Sequence, residues 1–229
     1  MGNEVPNSTW MRVWANTAWW IVTIFSVPFG LYTLPFIYGK FEIYKHFTRE
    51  AGLGNHHLAG LHILHNLRTW QIHAAAALLF VAIGPFQFNT SFRNNHPVLH
   101  KRFGYVFAAC TVITAVTGAT TMSKVTELPP IVKTLSPFMS IGTLIALTIS
   151  INAARNKNFQ THRRWMMRSA AIGYSVMYTR FPLPPLIYAF TRNQDQALSY
   201  SFPLSLLLNC GLAEIYIRKY LTQSDRKRL

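Results

Sequence analysis

The sequence predicts an all-α protein: a polytopic transmembrane helical bundle of about six spans, with an additional amphipathic helix lying at the membrane interface. Three observations predict it. Half of the 229 residues are hydrophobic while only 13% are charged, about half the roughly 25% of an ordinary soluble domain. The apolar residues form long continuous runs, near the roughly 20 residues that a bilayer core demands, and not the alternating segments of a barrel strand. The charge, +15 from 22 Lys+Arg against 7 Asp+Glu, sits between those runs. Membrane topology distributes cations in this way, so the basic balance implies no nucleic-acid partner.

Residues 1–12 form an N-terminal tail without the basic segment, apolar core and small-residue site of a cleavable signal. Pro6 stands where a myristoylation motif carries Ser or Thr. The first span covers about 13–38, opened by Trp14, Trp19 and Trp20 and interrupted by Pro28 and Pro35. Residues 39–69 are a long connection. Within it, 55–68 reads as an amphipathic helix, with Leu58, Leu61, Leu64 and Leu67 on one side. The remaining spans are expected at about 70–88, 100–122, 132–153, 162–190 and 199–217. The run Pro182-Leu183-Pro184-Pro185 must break the far end of the fifth. Residues 219–229 form a basic tail. Cys110 and Cys210 fall inside apolar runs and lack metal-binding spacing.

Six spans place both termini on one face, here face A. It collects 14 of the 22 cations, from Arg12 through Arg228, and face B the other 8. The positive-inside bias then puts face A in the cytoplasm or a mitochondrial matrix, with the plasma membrane and the mitochondrial inner membrane both open. The sequons beginning at Asn7 and Asn89 both fall on face A, where they stay unglycosylated.

Chemistry centres on the nine histidines, because an ionisable group in a span calls for a partner. His100 and His162 open the third and fifth spans, both descending from face A, so they sit at similar depth. Two such imidazoles can ligate a b-type haem, with Arg102, Arg163 or Arg168 pairing its propionates. Helix capping and interfacial hydrogen bonding are the alternative roles. His73, near face B beside Ala74–Ala77, makes a second candidate cofactor position if His62 or His65 folds over it; a single interhelical contact is the alternative. The pairs His62/His65 and His96/His100 have a spacing seen in membrane di-iron enzymes, but lie on opposite faces and lack a third histidine box. Arg168 and Glu214 fall inside spans at equal depth and are expected to pair. Arg180, beside the Pro-rich break and on the same helix as Tyr174 and Tyr178, either snorkels or contacts a lipid headgroup or quinone.

Several stretches together resemble a widespread family of predicted multi-span membrane proteins of unknown function. They are Trp70–His73, Gly84-Pro85-Phe86-Gln87 read as a turn, and His100-Lys101-Arg102-Phe103-Gly104-Tyr105. They continue with His162-Arg163-Arg164-Trp165-Met166-Met167-Arg168, Arg180 and Glu214. The resemblance covers about 70–218, and His-Arg-Arg-Trp-Met-x-Arg is its most specific part. It implies the bundle fold and no activity, and the histidine placement is similar, at fold level only, to b561-type cytochromes. Lys101 stands where the family usually has Arg.

Three functions follow. The first is a haem-binding electron carrier or membrane oxidoreductase, which explains why two histidines share a depth beside arginines. The second is a non-catalytic subunit of a larger, respiratory-type membrane complex. The third is a transporter or a lipid- or quinone-binding protein, favoured by the broken helix.

Overall fold

The computed structural model describes residues 66–124, 128–179 and 182–221, together with eight positions between Ile24 and Tyr38. The expected amphipathic helix before residue 66, His62, His65, Arg180, the N-terminal tail and residues 222–229 of the C-terminal tail lie outside the described residues. From residue 66 on, the described residues form seven α-helices in order: α1 (Leu67–Phe88), α2 (Thr90–Asn95), α3 (Pro97–Lys124), α4 (Pro130–Arg155), α5 (Phe159–Tyr178), α6 (Leu183–Thr191) and α7 (Gln194–Tyr216). A π-helical turn, Ile217–Leu221, ends the described chain. No strand occurs among the described residues.

Consecutive long helices pack antiparallel, as their short connections require. The contacts keep one register. On α1 and α3, Gln87 meets Gly104 and His73 meets Gly118. On α4 and α5, Ser150 bonds His162 and the Ser169 hydroxyl donates to the Thr143 carbonyl at 3.1 Å. On α5 and α7, Arg168 meets Glu214 and Asn209 donates to the Ala171 carbonyl. The described part of the first segment also runs antiparallel to α1. Gln71 donates to the Ile37 carbonyl at 3.0 Å, and Gly30 lies against Leu78.

Inside the bundle, Phe80, Phe107, Ala170, Tyr174 and Met177 form one core, and Val132, Met139 and Phe202 another. In lipid, burial of apolar surface between helices gains little, so small residues and interhelical hydrogen bonds hold the packing. Accordingly Ser150, Ser169, Ser175, Ser201 and Ser205 are fully buried where α4, α5 and α7 approach. Large apolar side chains such as Leu79, Ile113, Phe138, Ile145 and Leu207 face outward instead.

Among the described residues, four helices are long and apolar enough to cross a membrane: Leu67–Phe88, Pro97–Met122, Pro130–Arg155 and Asp195–Lys219. The fifth expected span is two helices. α5 stops at Tyr178, the Thr179 hydroxyl bonds the Val176 carbonyl at 2.7 Å, and α6 restarts with prolines in its first turn. α7 packs along both α5 and α6. Three details differ from the sequence reading. Gly84-Pro85-Phe86-Gln87 is helical, not a turn, because a proline within a helix is tolerated when neighbouring helices pack on it. α1 begins at Leu67, so Leu67 and Arg68, expected at the end of the amphipathic segment, belong to the span helix. The α1–α3 connection folds as the short helix α2, capped by the Asn89 side chain on the Phe92 N–H at 2.9 Å. α2 is clamped by Phe92 stacking on Phe103 and packing on Phe86.

Candidate functional site

Three helix ends converge at face A: the last turns of α1 and the first turns of α3 and α5. His162 stands one turn into α5, opposite Ser150 near the end of α4. Its Nδ1 lies 3.0 Å from the Ser150 carbonyl and 2.9 Å from the Ser150 hydroxyl, while that hydroxyl donates back to the His162 carbonyl at 3.0 Å. A carbonyl only accepts, so Nδ1 carries the proton and Nε2 is left as the basic nitrogen. This reciprocal lock fixes both ring orientation and tautomer. A ligating histidine needs a fixed tautomer and an oriented ring.

His100 occupies the first turn of α3, half-buried, within electrostatic range of both His162 and Arg93. Its Nδ1 is buried and finds no hydrogen-bond partner among the described residues. α3 and α5 share the core through Phe107, Cys110, Ala170 and Tyr174, but each packs chiefly on α4, α1 or α7 and not on the other. Side chains therefore separate the two histidine-bearing helices.

The arginines divide. Arg102 is exposed at the face-A end of α3. Arg163 is half-buried and donates to the Phe159 carbonyl at 3.4 Å. Arg168 is committed elsewhere: its guanidinium bonds both Glu214 oxygens, at 2.5 and 3.2 Å, and lies 4.7 Å from the Trp165 ring centroid. Glu214 also lies 3.6 Å from Arg218 across one helical turn.

His73 lies at the opposite end of α1. Its Nδ1 is 2.9 Å from the Thr117 hydroxyl, whose own proton goes to the Ile113 carbonyl at 2.5 Å. His73 is therefore the donor, and the bond ties α1 to α3. It also borders a half-open cavity of about 110 Å³, lined by Thr111, Ser140, Thr143, Met139 and Phe202 among others. His73 and the His100–His162 pair thus occupy separate places. Among the described residues no group of three or more His, Cys, Asp or Glu side chains gathers as for a metal ion.

The sequence reading did not anticipate Ser150 or Thr117 as partners of this chemistry, nor a buried amide at Gln87. Ser150 and Thr117 carry no local signal, because an isolated hydroxyl inside an apolar run is usual for membrane helices. Gln87 had one: it is a large polar side chain in the last turn of a span.

The fold and its buried polar contacts define a polytopic integral membrane protein. A family model described as a predicted membrane protein (DUF2306) matches residues 70–217, and the chain belongs to that family. Comparison with curated proteins and with solved structures gave no match.

Proposed function

We propose that the protein is a membrane electron carrier that holds a b-type haem between His100 and His162 at the face-A end of the bundle. The observation that carries this is the lock of His162 Nδ1 on Ser150, paired with a second histidine within electrostatic range whose Nδ1 is buried without a protein partner. The donor set suits the group: two imidazoles, with His162 Nε2 left over by the Ser150 lock, beside Arg102 and Arg163 as cations for propionates. When bound, the haem would supply one-electron iron chemistry. The chain's own contribution is to hold the His162 ring in one tautomer, to keep His100 at the same depth, and to surround both with positive charge that favours an anionic group. Arg168 takes no part in this reading, because Glu214 occupies it.

The topology that goes with it has six spans, with the first segment and the α5–α6 pair completing the four apolar helices. Both termini and the histidine pair face the cytoplasm or matrix, where the positive-inside bias places them.

The test is a reduced-minus-oxidised visible spectrum of the detergent-purified protein. Expected are a Soret band and sharp reduced bands, lost in His100→Ala and in His162→Ala. Ser150→Ala, which frees the His162 ring, should broaden or shift them. A colourless protein that also fails to take up added haemin overturns the proposal.

A further inference from the structure

Tyr174 is buried in α5, yet its hydroxyl has no hydrogen-bond partner among the described residues. The Gln87 amide nitrogen on α1 and His100 Nδ1 on α3 share that condition. The three are not scattered. The Tyr174 hydroxyl lies directly against Gly84, one turn from Gln87 on the same face of α1. The Gln87 amide oxygen in turn lies 3.4 Å from where a Cβ of Gly104 would stand, and Gly104 is one turn from His100 on α3. With a rise of about 1.5 Å per residue, these groups climb about 10 Å from the bundle interior to the face-A end.

An unpaired hydroxyl and an unpaired amide at this depth are costly, and the cost recurs at each step of the seam. Something polar must bridge them, and its size is limited. A methyl group added at Gly84 would already overlap Tyr174, so the body of an organic ligand has no room there. Water is the smallest group that can accept from Tyr174 and Gln87 and donate onward; buried polar groups left without protein partners are the usual hosts of ordered water.

We propose that α1, α3 and α5 hold a short file of ordered water molecules from His100 past Gln87 to Tyr174, giving the buried tyrosine hydroxyl proton access to face A. The file is closed at its inner end by rings. Phe80 packs on Tyr174 at 5.0 Å and stacks on Phe107 at 4.6 Å between centroids. Phe80 also borders the cavity that holds His73. It therefore separates the face-A file from the polar groups of the other half of the bundle. The file does not depend on a haem at His100, since it uses only the ring's Nδ1.

Radiolytic hydroxyl-radical footprinting of the full chain in nanodiscs tests it, because radicals formed from bound water oxidise the side chains next to it. The buried Tyr174 is expected to be oxidised within tenfold of the rate of exposed Tyr105, and Gln87→Leu to lower the Tyr174 rate at least tenfold. Tyr174 left unmodified while Tyr105 reacts overturns the proposal. Tyr174→Phe provides a second reading with a definite sign. A dry seam gains by losing an unpaired hydroxyl, so Tm rises. A hydrated file loses a hydrogen bond, so Tm falls by about 2–4 °C. A rise overturns the proposal independently of the footprint.

Discussion

At the scale of single residues, the bundle is governed by where a side chain is small enough to let another in. Gly173 on α5 faces the Phe80 ring, and a Cβ there would come within 2.7 Å of its Cζ. Phe80 cannot retreat, because Phe107 stacks on one side of it and Tyr174 lies on another. Gly173→Ala should therefore destabilise by about 1–3 kcal/mol, the usual cost of overpacking a filled core. Gly211 on α7 is the control: it is exposed and nothing lies within 4 Å of the position of its Cβ. There alanine removes only the entropic penalty of glycine in a helix, so Gly211→Ala should be neutral or stabilise by up to about 1 kcal/mol. Thermal unfolding in detergent of the two variants side by side checks this. Equal shifts would mean that Phe80 is not held as described.

At the scale of elements, α5 shows what hydropathy can and cannot read. The outer helices α1, α3, α4 and α7 show lipid-facing apolar side chains and are legible as spans from composition alone. α5 carries Arg163, Arg164 and Arg168 within one helix and does not qualify by that measure, yet it packs on α4 and α7 and supplies Ala170, Tyr174 and Met177 to the core. A helix enclosed by its neighbours can carry polar groups because the neighbours pair them. The Pro-rich run at 182–185 announced the break between α5 and α6 because proline acts through its own covalent geometry. The Ser150–His162 lock was not legible, since it joins two helices through residues with no pattern of their own. The Arg168–Glu214 bond ties α5 to α7, with side chains 30% and 34% exposed. Partial exposure lowers its worth below that of a fully buried pair, and the coupling expected from a double-mutant cycle of Arg168→Met and Glu214→Gln is about 1–2 kcal/mol. Arg218, 81% exposed, should contribute almost nothing when replaced. Single-variant effects that add to within about 0.3 kcal/mol would show that the contact holds the helices no better than its separated partners do.

At the scale of the whole molecule, antiparallel packing and the charge distribution make one statement about orientation. The α3–α4 connection and the α4–α5 turn lie at opposite ends of α4, whose 26 residues span about 39 Å, enough to cross a bilayer core of about 30 Å. Around the α4–α5 turn stand Arg155, Lys157, Arg163 and Arg164, and at the same end Arg102 and Arg218. The other end carries Lys124 and Lys133, with Arg68 and Arg192. Cations in short loops are retained on the side from which the chain inserts, so the end with the α4–α5 turn is expected to face inward. Both native cysteines lie within helices, Cys110 buried and Cys210 half-buried, which leaves engineered positions as the readily labelled ones. In right-side-out membranes, Lys124→Cys should react directly with an impermeant maleimide. Asn156→Cys, exposed in the α4–α5 turn, should react only after permeabilisation. Labelling of both from one side would mean that α4 does not cross, and reversed labelling would invert the bundle. With the order as expected, the His100–His162 pair and the open end of the water file both face the compartment that holds the α4–α5 turn. Any electron or proton they exchange with water is then exchanged on that side.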